Sequence, residues 1–170
     1  MRSMERDELR AVQEPLKELY RERPEEALVT LRSSGELGPG VTCSVQTGRA
    51  LAEAGLHPAS GGDGLSLCSG DMLLEALAAC AGVTMGAVAT SLGIPVTGRV
   101  LVEGDLDFRG TMAVDREVPV GFTAIRVAFE VESEATDEEL ATLLRLTERY
   151  CVVSQTLSRG AAPSFAYSGE

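Results

Sequence analysis

Hydrophobic positions recur at helical spacing near the start of the chain and in two later segments, with strand-like alternation between them. Residues 4–23 place apolar side chains every three or four positions among alternating charges, and Pro15 interrupts the run. The apolar members are Leu9, Val12, Leu16, Leu19 and Tyr20. We therefore expect residues 1–26 to form a helical N-terminal arm and residues 27–170 to form the main domain.

The segments that follow the arm alternate between apolar and polar residues. Residues 27–32 and 41–47 have the alternation of strands, and the Ser- and Gly-rich residues 33–40 predict a hairpin turn between them. Residues 48–64 are rich in Gly and predict a long irregular loop, which inside a compact domain is usually functional. The pattern thus predicts a hairpin followed by a candidate functional loop.

The most apolar segment of the chain predicts a helix from about Asp71 to Leu92. Ser66 or Ser69 is the expected N-cap, and the carboxylate of Asp71 suits the first turn. Because this helix is apolar on nearly every side, we expect it to be buried all round. A membrane span is the less favoured alternative, since Glu75 and several small polar residues weaken it and no basic flank orients it.

A second helix is expected after Thr136, which is a good capping residue with Glu139 three positions later. It should end near Cys151. Its inward stripe consists of Leu140, Leu143, Leu144 and Thr147.

Three further segments have strand character: Arg99 to Phe108, Phe122 to Val131, and a final edge strand at residues 164–167. Strands joined by short connections favour antiparallel sheets, and the helices are segregated from them. The order of elements therefore predicts an α+β fold.

Composition and charge narrow the range of functions. A length of 170 residues suits one domain with its own core. The net charge of −11 opposes binding to nucleic acid or to an anionic membrane, because phosphate groups need a basic surface. The highly charged start lacks the pattern of a secretory signal, so we expect a cytoplasmic protein with reduced cysteines. One His and four scattered Cys lack metal-ligand spacing, and no metal or other cofactor is expected.

Each of the four cysteines has an ordinary structural interpretation. Cysteine is among the most buried residue types, and the alanine-rich helix around Cys80 or the apolar strand face around Cys43 would accommodate it. Cys68 precedes the long helix, where the helix dipole stabilises a thiolate. Cys80 and Cys151 are far apart in sequence, and no Cys-x-x-Cys is present. Any chemistry that these two share must be assembled by the fold.

The sequences around Cys80 and Cys151 resemble the two cysteine motifs of the OsmC/Ohr family. The first runs from Ser69 to Thr84 as SGDMLLEALAACAGVT, and the second runs from Cys151 to Leu157 as CVVSQTL. Their order and separation also match, and the resemblance covers about residues 27–168. It implies an OsmC-like fold, with antiparallel sheets packed on two long central helices, in an intertwined homodimer with active sites at the subunit interface.

The resemblance also implies a thiol-dependent peroxidase that reduces organic hydroperoxides. Cys80 would be the peroxidatic thiol, oxidised to a sulfenic acid, and Cys151 would be the resolving thiol that condenses with it to a disulfide. A small dithiol, or a protein that carries one, would reduce this disulfide. The apolar helix around Cys80 favours a lipophilic peroxide over hydrogen peroxide.

On this interpretation Cys80 needs a charged partner. It lies several turns into its helix, beyond the reach of the dipole at the N-terminus, and burial disfavours the thiolate. Arginine keeps its charge in such surroundings. Arg49, just after the second predicted strand, is the first candidate, with a solvated strand-end arginine as the alternative. Arg109 is the second, although a pair with Asp107 is its more ordinary interpretation.

The glutamate that holds the arginine in the family falls on Gly70 here. Asp71 is one substitute, although a plain first-turn carboxylate explains it equally well. Glu75 is the other, since a carboxylate inside an apolar helix should not be buried unpaired. His57 lacks a catalytic partner in the sequence, and lining the site is its less favoured interpretation. Gly70 also favours an alternative function, a non-enzymatic OsmC-like protein that binds an apolar small molecule.

Overall fold

The computed structural model describes only part of the chain before residue 50 and nearly all of it afterwards. The described residues are 5–8, 11, 13, 22, 23, 35–37, 43–47 and 50–166. Residues 6–8, 11, 13 and 22 are helical, within the segment predicted as the arm. The strand predicted at residues 27–32 and the candidate Arg49 lie outside the described residues.

The first sheet has four strands in the order β1-β2-β3-β4. They are β1 (Gly35–Leu37), β2 (Cys43–Thr47), β3 (Ala50–Gly55) and β4 (Leu67–Cys68). The first three are antiparallel, and β4 pairs with β3 in parallel. Two of these strands correct the sequence prediction, since β1 lies in the predicted turn and β3 lies in the predicted irregular loop.

Pairing with β2 explains why β3 forms against its composition. Its sequence ALAEAG consists mainly of alanine and glycine, which are depleted in strands. The two strands pair from Thr47↔Ala50 to Cys43↔Ala54, so only two residues separate their ends. Such a short connection suits a tight hairpin. The backbone hydrogen bonds to β2 stabilise β3 as a strand, although its own composition does not favour one.

Helix α1 (Ser69–Leu92) confirms the long apolar helix. Asp71 lies in its first turn, and Gly93 ends it in the left-handed conformation at φ 72°, which glycine adopts without a Cβ penalty. The predicted serine cap is wrong. Cys68 is the N-cap and makes no side-chain capping bond. Because Cys68 is held extended by its pairing with β3, the helix begins directly after it.

Among the described residues, α1 is buried along one face, which corrects the expectation of burial all round. The buried side chains are four residues apart: Leu77, Ala81, Met85 and Ala89. Val83, on another face, is 75% exposed. By length and composition α1 is also apolar enough to cross a membrane, a test that core helices of soluble proteins pass as well.

The second sheet is an antiparallel hairpin close to the predicted bounds. It pairs β5 (Thr97–Leu106) with β6 (Phe122–Glu132), and the short helix α2 (Phe108–Thr111) lies in the connection. The side chains that this hairpin packs towards α1 are Val100, Val102, Ile125 and Phe129. The hairpin thereby covers the buried face of α1.

Helix α3 (Asp137–Tyr150) begins with the predicted cap. The N–H of Glu139 donates to Thr136 Oγ1 at 3.3 Å, and the N–H of Thr136 donates to Glu139 Oε2 at 2.8 Å. This reciprocal pair is a capping box, which satisfies two N–H groups that the helix would otherwise leave unpaired. The local sequence therefore determines where α3 starts.

The inward stripe of α3 is narrower than predicted. Leu143 and Thr147 are buried, but Leu144 is 49% exposed because it lies about 100° around the helix from Leu143. A further helix that was not predicted, α4 (Val152–Arg159), follows directly after Cys151. The expected edge strand is not present at residues 164–166, which are irregular, and Tyr167 lies outside the described residues.

Two clusters of buried side chains form the core where α1 meets the β5–β6 hairpin and α3. One cluster is Leu77, Ala81 and Cys151, and the other is Met85, Ala89 and Leu143. Mixed helices and sheets confirm the α+β class. Cys151 lies inside the first cluster, and Cys80 packs against it.

Candidate active site

Cys80 and Cys151 lie together where α1 meets the junction of α3 and α4. Cys151 separates the two helices with an extended backbone, at φ −71° and ψ 107°. Its N–H donates to the carbonyl of Thr147 at 2.9 Å and completes α3, while its carbonyl accepts from the N–H of Gln155 at 2.9 Å and starts α4. The side chain of Cys151 is 1% exposed, and both cysteines are free thiols.

Four neighbouring groups lower the pKa of the Cys80 thiol by hydrogen bonding to its sulfur. In order of their effect they are the N–H of Val153, the thiol of Cys151, the hydroxyl of Thr84 and the N–H of Val152. Burial is the largest single influence and raises the pKa of the Cys80 thiol, but the four hydrogen bonds together outweigh it. The pKa of Cys80 therefore lies below its ordinary value.

The pKa of Cys151 moves in the opposite direction. Burial raises it most, and the neighbouring Cys80 thiolate raises it further through its charge. The N–H of Ser154 acts against these influences without overcoming them. Since the two thiols titrate as a pair, the first proton leaves Cys80, and Cys151 stays protonated as a donor beside it.

The N-terminus of α4 supplies two of the four donors, and it was missed in the sequence analysis. A helix leaves its first N–H groups unpaired and carries a partial positive charge there. Cys151 is the N-cap of α4, and the first N–H groups of this helix act on both sulfurs: those of Val152 and Val153 lower the pKa of Cys80, and those of Val153 and Ser154 lower the pKa of Cys151. Cys80 lies too far along α1 for the N-terminus of that helix to lower its pKa, as expected. The N-terminus of α4 lowers it instead.

Sequence signals for α4 were present at its far end. Arg159 lies in the last turn and Gly160 follows in the left-handed conformation, which is a common way for a helix to stop. A stop signal nine positions after Cys151 indicates a short helix between them. The predicted end of the preceding helix at Cys151 was correct, but the chain forms a second helix instead of a loop.

The charged residues predicted to assist Cys80 are not brought to it within the described part of the chain. Arg109 pairs with Asp107 at 2.6 Å, which confirms its more ordinary interpretation. Asp71 and Glu75 are exposed and form no ion pair with another described residue. In the single chain Glu75 is therefore exposed, whereas the sequence predicted it to be buried. Arg49 lies outside the described residues.

Gly70, the position of the family's glutamate, faces an aromatic ring. A Cβ added there would lie 3.4 Å from Phe122 Cζ and 3.5 Å from Cys68 Sγ, which are ordinary contact distances. An alanine side chain would fit at position 70, but a longer side chain would have to turn away from the Phe122 ring. The position is therefore lined by apolar and sulfur atoms, and the hydrogen bonds to Cys80 come from α1 and α4.

His57 has a structural role in the loop after β3. Its Nδ1 accepts from the N–H of Ala59 at 3.0 Å and caps a short 3-10 helix, and its ring stacks on Phe108 at 4.9 Å. Neither Ala59 nor Phe108 is part of the site formed by Cys80 and Cys151. In the described part of the chain, no three His, Cys, Asp or Glu side chains are arranged to hold a metal ion.

A mainly apolar cavity of about 350 Å³ adjoins Cys151. Side chains of α1, β6 and α3 form most of its wall, and Ser154 of α4 completes it. The apolar members are Leu77, Ala81, Ile125, Val127, Phe129 and Leu144. The site thus combines an acidified thiol, a protonated thiol beside it and an adjoining apolar space.

Comparison with known proteins gives the same family as the cysteine motifs. A family model described as OsmC-like protein matches residues 61–164, a range that includes both cysteines. A comparison with curated protein sequences finds no match.

Solved structures share the fold at low sequence identity. An OsmC-like protein from Mycoplasma pneumoniae is 16% identical, with a TM-score of 0.65 over 78% of this chain and 89% of that chain. A protein from Legionella pneumophila, described as the organic hydroperoxide resistance protein OsmC, is 18% identical, with a TM-score of 0.54 over 78% of this chain and 91% of that chain. At these identities the likeness shows the fold alone.

Proposed function

This chain belongs to the family of OsmC-like proteins, and we propose that it is a thiol-dependent peroxidase that reduces organic hydroperoxides. The observation that carries the proposal is the packing of Cys80 against the core cluster that contains Cys151, with the pKa values of the two thiols shifted in opposite directions. Thiolates, not thiols, are the nucleophiles in this chemistry. Cys80 is therefore the attacking nucleophile, and Cys151 stays a thiol until Cys80 has been oxidised.

The first step is attack of the Cys80 thiolate on the terminal oxygen of the hydroperoxide. An S–O bond forms, the O–O bond breaks, and the leaving alkoxide takes a proton to become an alcohol. Cys80 is oxidised to a sulfenic acid. The N–H groups of Val152 and Val153 lower the pKa of Cys80 and so increase the share of thiolate, which is the species that attacks.

The second step joins the two cysteines. Once Cys80 is a neutral sulfenic acid, the negative charge that raised the pKa of Cys151 is gone. Cys151 then ionises more easily and attacks the Cys80 sulfur, an S–S bond forms, and the hydroxyl leaves as water. An external dithiol returns both cysteines to thiols by exchange and is itself oxidised to a disulfide. No cofactor takes part in this cycle.

The surroundings of the pair support an organic peroxide as substrate. The cavity beside Cys151 is lined mainly by aliphatic and aromatic side chains, which would favour an apolar group over hydrogen peroxide. The Legionella pneumophila protein is named for organic hydroperoxide resistance. We extend that substrate class to this chain as part of the proposal.

We also propose that the protein is a homodimer that associates through the uncovered face of α1. That face carries small or apolar residues at helical spacing: Ala76, Ala79, Val83 and Gly86 are exposed. A Cβ added to Gly86 would contact nothing within 4 Å. Such a surface lets another backbone approach closely. Sedimentation velocity should show a dimer that Val83→Glu dissociates, and a wild-type monomer would contradict this part of the proposal.

A turnover assay tests the proposed function. Cumene hydroperoxide consumption with excess dithiothreitol should be catalysed by the wild type and lost in Cys80→Ser. The matched control is Cys68→Ser, which removes another partly exposed thiol of α1's N-terminal end and should keep the activity. Equal rates for wild type and Cys80→Ser would refute the peroxidase.

Gly70 favours a second candidate, a non-enzymatic protein that binds an apolar small molecule in the cavity beside Cys151. The family's carboxylate is replaced there by a glycine that faces Phe122. Titration of the Cys80 thiol by the pH dependence of its alkylation separates the two functions. An ordinary thiol pKa favours the binding protein, and a lowered pKa favours the enzyme.

A further inference from the structure

Within the described part of the chain, Glu148 is the only Asp, Glu, Lys or Arg that lines the apolar cavity beside Cys151. It lies one helical turn after Leu144 on α3, and residues four apart in a helix share a face. Leu144 and Thr147 line the cavity from the same helix. The wall that α3 contributes therefore carries a carboxylate among uncharged side chains.

The position of Glu148 places its charge where the cavity opens to water. Side chains in a helix lean towards its N-terminus, so that of Glu148 leans towards Leu144. Leu144 is about half exposed, and Glu148 is exposed. We call this part of the cavity, beside Leu144 and Glu148, its mouth. The carboxylate of Glu148 forms no ion pair with another described residue.

The uncharged polar residues of the cavity wall do not offset this carboxylate. The hydroxyl of Thr147 donates to the carbonyl of Leu143 at 2.8 Å, so it is already used within α3. Ser154 can donate to a neutral oxygen and to an anionic one alike. An anionic group at the mouth would therefore lie near a like charge, with no cation supplied by the described lining residues.

We propose that this cavity binds uncharged organic hydroperoxides in preference to those that carry a carboxylate, and that Glu148 is the specificity-determining residue. This inference rests on the proposed function. A volume of about 350 Å³ is near the lower end of the range for small-molecule sites. The apolar body of a substrate would fill such a space and leave a charged substituent at the mouth. Repulsion between like charges there disfavours the anionic substrate.

Three hydroperoxides that share one aromatic skeleton test the role of Glu148. They are cumene hydroperoxide, its para-carboxylate and the methyl ester of that carboxylate. At neutral pH and low salt, with excess dithiothreitol, the wild type should reduce the ester with a kcat/KM about fivefold above that for the carboxylate, which is the effect of two unit charges about 4 Å apart in water. In about 1 M salt the difference should shrink, because the screening length falls to about 3 Å.

Glu148→Gln removes the charge and keeps the size of the side chain, so it should raise kcat/KM for the carboxylate towards that for the ester. The matched control is Glu138→Gln, which removes the same charge from the first turn of α3, about 15 Å away, and should keep the wild-type preference. Equal kcat/KM values for ester and carboxylate in the wild type would overturn the proposal. An undiminished preference in Glu148→Gln, or an equal loss of preference in Glu138→Gln, would overturn it as well.

Binding of unreactive analogues separates this proposal from the peroxidase itself. Absence of turnover with all three hydroperoxides would refute the peroxidase, and the preference is then measured with para-isopropylbenzoate and its methyl ester, which lack the hydroperoxide group. NMR titration of the wild type should show tighter binding of the ester, and Glu148→Gln should reduce the difference. Equal affinities for the two analogues, or binding of neither, would overturn the assignment of Glu148.

Discussion

Replacing Val152 by proline should separate the reactivity of Cys80 from the stability of the fold. Val152 is the first residue of α4, and its N–H is one of the donors to the Cys80 sulfur. Proline lacks that N–H but is favoured at the first position of a helix. The residue before it, Cys151, already has the extended backbone that a following proline requires. The substitution therefore removes one donor and keeps the helix.

The expected loss of reactivity follows from the lost hydrogen bond. A hydrogen bond to a charged group contributes about 1.5–3 kcal/mol. Val152 has the smallest effect of the four donors and Cys80 is partly exposed to water, so the lower end of that range applies. About 1.5 kcal/mol corresponds to about a tenfold slower alkylation of Cys80 at pH values below its pKa.

The effect on stability should be small. The side chain of Val152 is 70% exposed, so little packing is lost. Proline at a compatible position stabilises by about 0.4–1 kcal/mol through the unfolded chain. Urea unfolding should therefore show a free energy within about 1 kcal/mol of the wild type.

Val152→Ala is the matched control, because it loses the same side chain and keeps the N–H. Alkylation rates of Cys80 across the pH range should be normal in Val152→Ala and reduced only in Val152→Pro. Equal rates in the two variants at low pH would refute activation by the N-terminus of α4.

Three other outcomes follow from the structure. Because the folded-state pKa of Cys80 is lowered from 9.0, its thiolate should add stability that is complete above pH 9.0 and lost as the pH falls through the lowered pKa; urea unfolding of the Cys151→Ser protein with and without Cys80→Ser measures this, and a pH-independent difference would contradict it. Thr136→Ala removes the capping box and should cost about 1–2 kcal/mol in denaturant unfolding with unchanged Cys80 alkylation; no loss of stability would count against the cap. Leu143→Ala opens a cavity in the second core cluster and should cost about 2–5 kcal/mol, which a Tm close to that of the wild type would disprove.

Elements with strong local signals were predicted well from the sequence. The capping box of α3 depends on Thr136 and Glu139 alone, and the end of α1 depends on Gly93. Long alternating segments likewise predict β5 and β6. The strand β3 was missed because its alanines favour no strand, and only its pairing with β2 explains it.

The candidate site was predictable only in part. Cys80 and Cys151 are visible in the sequence through the motifs around them. Their activation is not, because it depends on which helix end points at the sulfur, and that is a property of the packing of α4 on α1. The helix dipole was correctly excluded for α1, but the same physical effect reaches Cys80 from Val152 and Val153.

The most direct test of the central claim is the intact mass of the reduced protein after one equivalent of cumene hydroperoxide. The Cys80–Cys151 cycle predicts a loss of two hydrogens, with a single crosslinked peptide that contains both cysteines. In Cys151→Ser the mass should instead increase by one oxygen, located on Cys80. An unchanged mass in the wild type, or a crosslink that joins other cysteines, would contradict the assignment of this pair.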